Sequence, residues 1–84
     1  MDINRAVSAI DAFVKTFESS GAKPVEVQVR PSGDDVNCIK IWVDLGSSKV
    51  DTGAWAKALE AAVKKSVSDA SGFELAIRAE ADAT

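Results

Sequence analysis

The sequence predicts an α+β fold, a two-layer sandwich in which two helices cover one face of a three-stranded mixed sheet. Two segments carry apolar residues at helical spacing, and three short segments alternate between apolar and polar residues. The predicted chain order is helix, strand, strand, helix, strand. With 84 residues the chain has room for one core, so we expect a single domain over 1–84 whose last residues, 81–84, fray.

The first helix is predicted from Asp2 to about Ser20. Asp2 is a suitable N-cap, and Gly21 is expected to end the helix at its C′ position. Asp11 and Lys15 are four residues apart and can pair on the exposed side. The apolar stripe recurs at spacings of three and four residues and consists of Ile3, Val7, Ile10, Phe13, Val14 and Phe17.

The next two segments predict an antiparallel hairpin. The first strand, 25–30, alternates cleanly and points three valines inward, Val25, Val27 and Val29. PSGDD then supplies turn residues, so a loop of about five residues should lead to a second strand at 36–45. Ile39, Ile41 and Val43 share the parity of the valines, and antiparallel pairing therefore places both sets on one face.

The second helix is predicted at about 52–69, with Asp51 or Thr52 as its N-cap. If Asp51 is the cap, Val50 and Trp55 have the spacing of a hydrophobic staple. Its buried stripe is Trp55, Leu59, Ala62, Val63 and Val67. Its exposed side carries Lys57, Glu60, Lys64 and Lys65, and Glu60 lies four residues before Lys64, so the two can pair.

Ser71-Gly72 ends this helix, and the third strand, 73–80, points Phe73, Leu75 and Ile77 inward. A strand–helix–strand connection returns parallel to its starting strand. The second strand is the most apolar and the one with apolar residues on both faces, which favours a central position. We therefore expect the strand order 1-2-3, with both helices on the Val/Ile/Phe face.

This arrangement leaves Trp42 in the middle of a sheet face that no predicted helix covers. One interpretation is that Arg and Lys side chains drape over the indole and that opposite charges pair across the strands. The other is that Trp42 anchors an interface, where Trp and Arg are over-represented. The predicted partner-binding residues are Trp42, Lys40, Cys38, Arg30, Gln28, Arg78, Glu26 and Glu74, with Asp44 and Glu80 nearby.

Composition narrows the functional classes. The net charge is −3, whereas phosphate neutralisation makes non-specific nucleic-acid binders basic, so direct nucleic-acid binding is not expected. The single cysteine cannot form an intrachain disulfide, and neither a secretory segment nor an apolar run of about 18 residues is present. We expect a cytoplasmic protein without membrane association.

Chemical sites are weakly indicated, and we expect neither catalysis nor a cofactor. Cys38 as a nucleophile has no histidine to activate it, because the chain contains none. Asp34 and Asp35 are read as turn formers rather than as cation ligands. GSSK at 46–49 has the chemistry of an anion site but lacks the spacing of a phosphate loop, so it is read as a linker.

The order of elements, together with Ala70-Ser71-Gly72, resembles the type II KH-like RNA-binding domains, which include the ribosome-binding factor A group. These three residues match the family's A-x-G element, but in the family another helix follows, whereas here Phe73 begins the predicted strand at once. The order also resembles the BolA fold, whose pattern relies on histidines. No functional residue is carried over from either family.

Three hypotheses follow from the sequence. The first is a non-catalytic protein-binding module, a small regulator or inhibitor that occludes a larger partner through the uncovered sheet face. Small acidic inhibitors of nucleic-acid-handling complexes, of the kind that phages encode, belong to this class. The second is a KH-like domain that contacts RNA or DNA, and the third is a homodimer formed sheet to sheet.

Overall fold

The computed structural model describes residues 3–19, 21–33, 37–47 and 49–81. Its three strands form one mixed sheet in the order β1-β2-β3, in which β1 is antiparallel and β3 parallel to the central β2. The predicted α+β class, order of elements and strand order are confirmed. The elements are α1 (Ile3–Thr16), β1 (Glu26–Pro31), β2 (Cys38–Asp44), α2 (Thr52–Ser66), a one-turn 3₁₀ helix (Ser68–Ala70) and β3 (Glu74–Glu80).

The core lies between the sheet and the two helices. Val29 of β1 is in register with Ile41 of β2, which is in register with Ile77 of β3, so the inward residues of all three strands share one face. Both helices join the same buried cluster, and they therefore cover the same side of the sheet. The largest fully buried side chains are Trp55, Ile10, Ile39, Ile41, Leu45, Leu59, Val14, Val43 and Val63.

Helix α1 is shorter than predicted, because it ends at Thr16 rather than near residue 20. The Thr16 hydroxyl donates a hydrogen bond to the Phe13 carbonyl (3.1 Å), and such side-chain bonds compete with helix continuation. Gly21 is not the C′ residue. It lies at a φ of +77° in a separate turn that Ser19 and Ala22 close with two backbone hydrogen bonds. The proposed cap, Asp2, lies outside the described residues.

Helix α2 begins as predicted, with Asp51 as its N-cap. One Asp51 carboxylate oxygen accepts hydrogen bonds from the Gly53 N–H (3.0 Å) and the Ala54 N–H (3.2 Å). The helix ends at Ser66, three residues earlier than predicted, since the chain tightens into the 3₁₀ turn before Ser71. The predicted i,i+4 pairs are present, Lys15–Asp11 at 2.9 Å and Lys64–Glu60 at 4.0 Å.

Strand β1 differs from its prediction at both ends. Val25 precedes the strand and is 73% exposed, so its assignment to the core is wrong. The cause is its position on an edge strand, where even Val27 and Val29 are only partly buried. At the other end Pro31 belongs to the strand, and β2 begins at Cys38 rather than at residue 36. Asp34, Asp35 and Val36 lie outside the described residues.

Candidate functional site

The face of the sheet opposite to the helices is the open face. It carries the outward side chains of the three strands, and none of the described helices packs on it. The alternation of the strands places all eight predicted partner-binding residues on this face. They are Trp42, Lys40, Cys38, Arg30, Gln28, Arg78, Glu26 and Glu74.

The strand register arranges most of the open face in three rows that run across the strands. The central row is Gln28, Trp42 and Arg78. Neighbouring rows are two residues apart along each strand, a distance of about 7 Å. On one side lies the basic row, Arg30, Lys40 and Ala76, and on the other side lies the acidic row, Glu26, Asp44 and Glu80.

Trp42 is only partly buried, and polar neighbours hold it in place. Its indole N–H donates a hydrogen bond to one Glu80 carboxylate oxygen (3.2 Å). The second Glu80 oxygen forms an ion pair with Arg78 Nε (2.9 Å). On the other side of the ring, Arg30 donates a hydrogen bond to the Gln28 side-chain oxygen (2.7 Å). The indole N–H therefore has one side-chain partner on β3, and Gln28 lies beside Trp42 on β1.

The second tryptophan has a different role. Trp55 is 1% exposed, its indole N–H donates to the Ala22 carbonyl (3.2 Å), and its ring meets Phe17 edge to face at 5.3 Å. Since Trp55 belongs to the core, Trp42 is the tryptophan that a partner can reach.

A shallow depression of about 780 Å³ occupies the open face between the central and basic rows. Arg30, Lys40 and Arg78 line it, and its apolar lining includes Trp42 and Ala76. The described lining residues include three cations and no carboxylate. Because Arg78 is paired with Glu80, the positive charge of the described lining comes mainly from Arg30 and Lys40, although the chain as a whole is acidic.

Other chemistry receives little support from the geometry. Cys38 lies at the far end of the face, in register with Glu74, and is partly buried. Among the described residues, no group of three Cys, Asp or Glu side chains is placed to hold a metal ion, and this includes the acidic row. Within the same residues, neither helix has the length and apolar character needed to cross a bilayer.

Comparison of the chain with protein-family models, with curated proteins and with solved structures gives no match. The open face is therefore the basis for assigning a function.

Two features of the open face were missed by sequence reasoning. Ala76 was not selected, although it points outward and its small side chain opens the space beside Trp42. The grouping of charges into rows was missed as well, because it depends on how three strands align. The parity of Ala76 within 73–80 could have placed it on this face, whereas the rows require the register.

Proposed function

We propose that this chain is a non-catalytic protein-binding module, a small regulator or inhibitor that occludes a larger partner through its open face. The observation that supports this most is the position of Trp42, a large and partly exposed apolar side chain at the centre of the uncovered face. Tryptophan and arginine dominate interface hot spots. The hydrogen bond from the indole N–H to Glu80 restricts the ring, which would lower the side-chain entropy cost of binding.

The proposal is tested by affinity capture from a native lysate with matched variants. Trp42→Ser removes the anchor, whereas Val25→Ser removes an apolar side chain that is 73% exposed elsewhere on the molecule. A specific partner should be lost with Trp42→Ser and retained with Val25→Ser. With purified partner, Trp42→Ala should weaken binding by about 2 kcal/mol or more. Capture that is insensitive to Trp42 would contradict the proposal.

Nucleic-acid binding by a KH-like domain is the alternative that the cations of the open face favour. The lysines of α2, however, lie in the helical layer on the other side of the sheet, so the basic residues do not form one surface. Generic RNA and duplex DNA should therefore show no measurable binding at physiological salt. Tight, steeply salt-dependent binding that Lys64→Ala with Lys65→Ala reduces would reverse this ranking.

A homodimer formed sheet to sheet is the other alternative. A two-fold axis along the central row would place the acidic row of one copy over the basic row of the other. Light scattering after size exclusion would then give a dimer, and Trp42→Glu would restore the monomer by placing unpaired carboxylates in the contact. A monomer at high protein concentration would remove this alternative.

A further inference from the structure

The basic row and the central row place three positive charges around one depression. Arg30 and Lys40 are direct cross-strand partners, and like charges in that relation destabilise a sheet. Arg78 lies in the neighbouring row on the far strand, with its Nε held by Glu80. A bound anion would relieve the repulsion between Arg30 and Lys40.

The same depression has an apolar surface. Trp42 and Ala76 are on neighbouring strands and on adjacent rows, and the methyl group of Ala76 leaves room beside the indole. An occupant that fits this surface needs an apolar group together with negative charge. A free inorganic anion supplies only the charge.

The acidic row restricts which kind of ligand can extend from the depression past Trp42. Its backbone lies about 7 Å from that of the central row, within the screening length of about 8 Å at physiological ionic strength, and the Glu80 carboxylate reaches the Trp42 indole N–H at 3.2 Å. A phosphate backbone running along the strands would meet Glu26, Asp44 and Glu80 within one row of the indole. In addition, Trp42 is the one aromatic side chain that the described strands point to this face, so successive bases would lack a stacking platform.

We infer that the occupant of the depression is a short, extended segment of a partner protein that carries carboxylates at the end over the basic row and no negative charge at the end over the acidic row. An apolar side chain of this segment packs against Trp42 and Ala76, and its carboxylates contact the cations around them. The inference rests on the proposed function of the open face and adds the chemistry of the partner. About six residues at ~3.3 Å each span the length of a strand on this face.

The test is a fluorescence titration with synthetic probes. The first probe is a peptide of about six residues, with glutamates at one end, a central leucine and uncharged residues at the other end, which spans a strand at ~3.3 Å per residue. The second probe has lysine in place of glutamate, and the third is an oligouridylate of similar length. Because Trp55 is buried, a change in emission reports on Trp42. The glutamate peptide should bind and the lysine peptide should not.

Charge variants give the controls. Lys40→Gln should weaken binding of the glutamate peptide by about 5- to 30-fold, which corresponds to roughly 1–2 kcal/mol. Lys40→Arg should retain binding, and Lys57→Gln on α2 should change it by less than about twofold. Lys40 and Lys57 are both exposed, so these substitutions should leave the fold intact, which circular dichroism checks.

Results that contradict the inference also show which claim about the depression is wrong. Equal binding of both peptides, or binding of neither, would overturn the inference. Tighter binding of the oligouridylate would assign the depression to nucleic acid. Self-association that Lys40→Gln abolishes would assign it to the acidic row of a second copy. If capture from lysate still depends on Trp42 while Lys40→Gln has no effect, the inference fails and the proposed function stands. If capture does not depend on Trp42, the proposed function fails as well.

Discussion

The two tryptophans allow a direct test of which one the fold needs. Both Trp55→Phe and Trp42→Phe remove an indole N–H and part of a ring. In Trp55 the N–H donates to the Ala22 carbonyl inside the core, and in Trp42 it donates to a carboxylate of exposed Glu80. The two variants therefore differ in burial rather than in chemistry.

The expected loss of unfolding free energy in Trp55→Phe follows from the contacts of the Trp55 side chain. The Ala22 carbonyl also accepts the Ser19 N–H (3.2 Å), so it keeps one partner, and the lost hydrogen bond should cost about 1 kcal/mol. The missing ring atoms leave a cavity in a fully buried site, which adds about another 1 kcal/mol. We expect a total loss of about 2 kcal/mol. For Trp42→Phe we expect less than about 0.5 kcal/mol, because an exposed hydrogen bond is exchanged for water.

Urea unfolding measures both variants. With a slope of about 1 kcal/mol/M, Trp55→Phe should lower the midpoint by about 2 M, and Trp42→Phe by less than about 0.5 M. Trp55→Ala should cost about 3–5 kcal/mol. For a domain whose stability is on the order of 5 kcal/mol, this change leaves the chain largely unfolded. Trp42→Ala should cost about 1 kcal/mol.

Trp55→Phe and Trp42→Phe each leave one tryptophan in the protein, so acrylamide quenching of these two variants completes the test. The protein that retains only Trp42 should be quenched far more readily than the protein that retains only Trp55. Equal midpoint shifts, or a shielded Trp42 whose loss unfolds the chain, would refute the assignment of Trp42 to an uncovered face.

Three further variants test local features. Asp51→Ala should cost about 1 kcal/mol and lower Tm by roughly 4–8 °C, while Asp51→Asn should preserve the cap; no change in Tm would contradict the capping geometry. Gly46→Ala should lower the free energy of unfolding by about 1–2 kcal/mol, because Gly46 has a φ of +65° and the new Cβ would lie 2.8 Å from Val25 Cγ2. Adding Val25→Ala in a double-mutant cycle should recover part of this loss. Glu26→Lys should stabilise by about 0.2–1 kcal/mol in urea unfolding, because it replaces a repulsion with Asp44 by an opposite-charge pair; a loss of stability would contradict the acidic row.

The sheet was predictable because its signals are local and redundant. The alternation in 25–30 and 36–45 gives the inward face, and the hairpin turn brings the two sets of equal parity together. The apolar character of both faces of β2 placed it at the centre, which the strand order confirms. The cap at Asp51 was predictable for the same reason, since its spacing to Val50 and Trp55 is local.

The ends of elements were less predictable, because they depend on competition between nearly equal local bonds. Nothing in the apolar stripe of α1 distinguishes Thr16 from residue 20, whereas in the structure the last turn carries a Thr16 hydroxyl bond to the Phe13 carbonyl and a bond from the Phe17 N–H to the Val14 carbonyl. The exposure of Val25 has another cause. Val25 has the same parity as the inward-facing residues of β1. Its burial, however, depends on how far the helices extend over an edge strand, and no local sequence pattern reports that distance.

The rows of the open face have a physical consequence of their own. Three carboxylates in register across three strands, and Arg30 opposite Lys40, are arrangements that weaken a sheet, whereas interleaved charges would strengthen it. Stability therefore does not explain the separation of charge on the two sides of Trp42. Under the proposed function, a surface that orients a partner would explain it, because opposite potentials at the two ends of a short site would favour one direction of binding and oppose the other. The cost to the sheet is small for each pair, and in the proposed function the two charged rows would fix the direction in which a partner lies across Trp42.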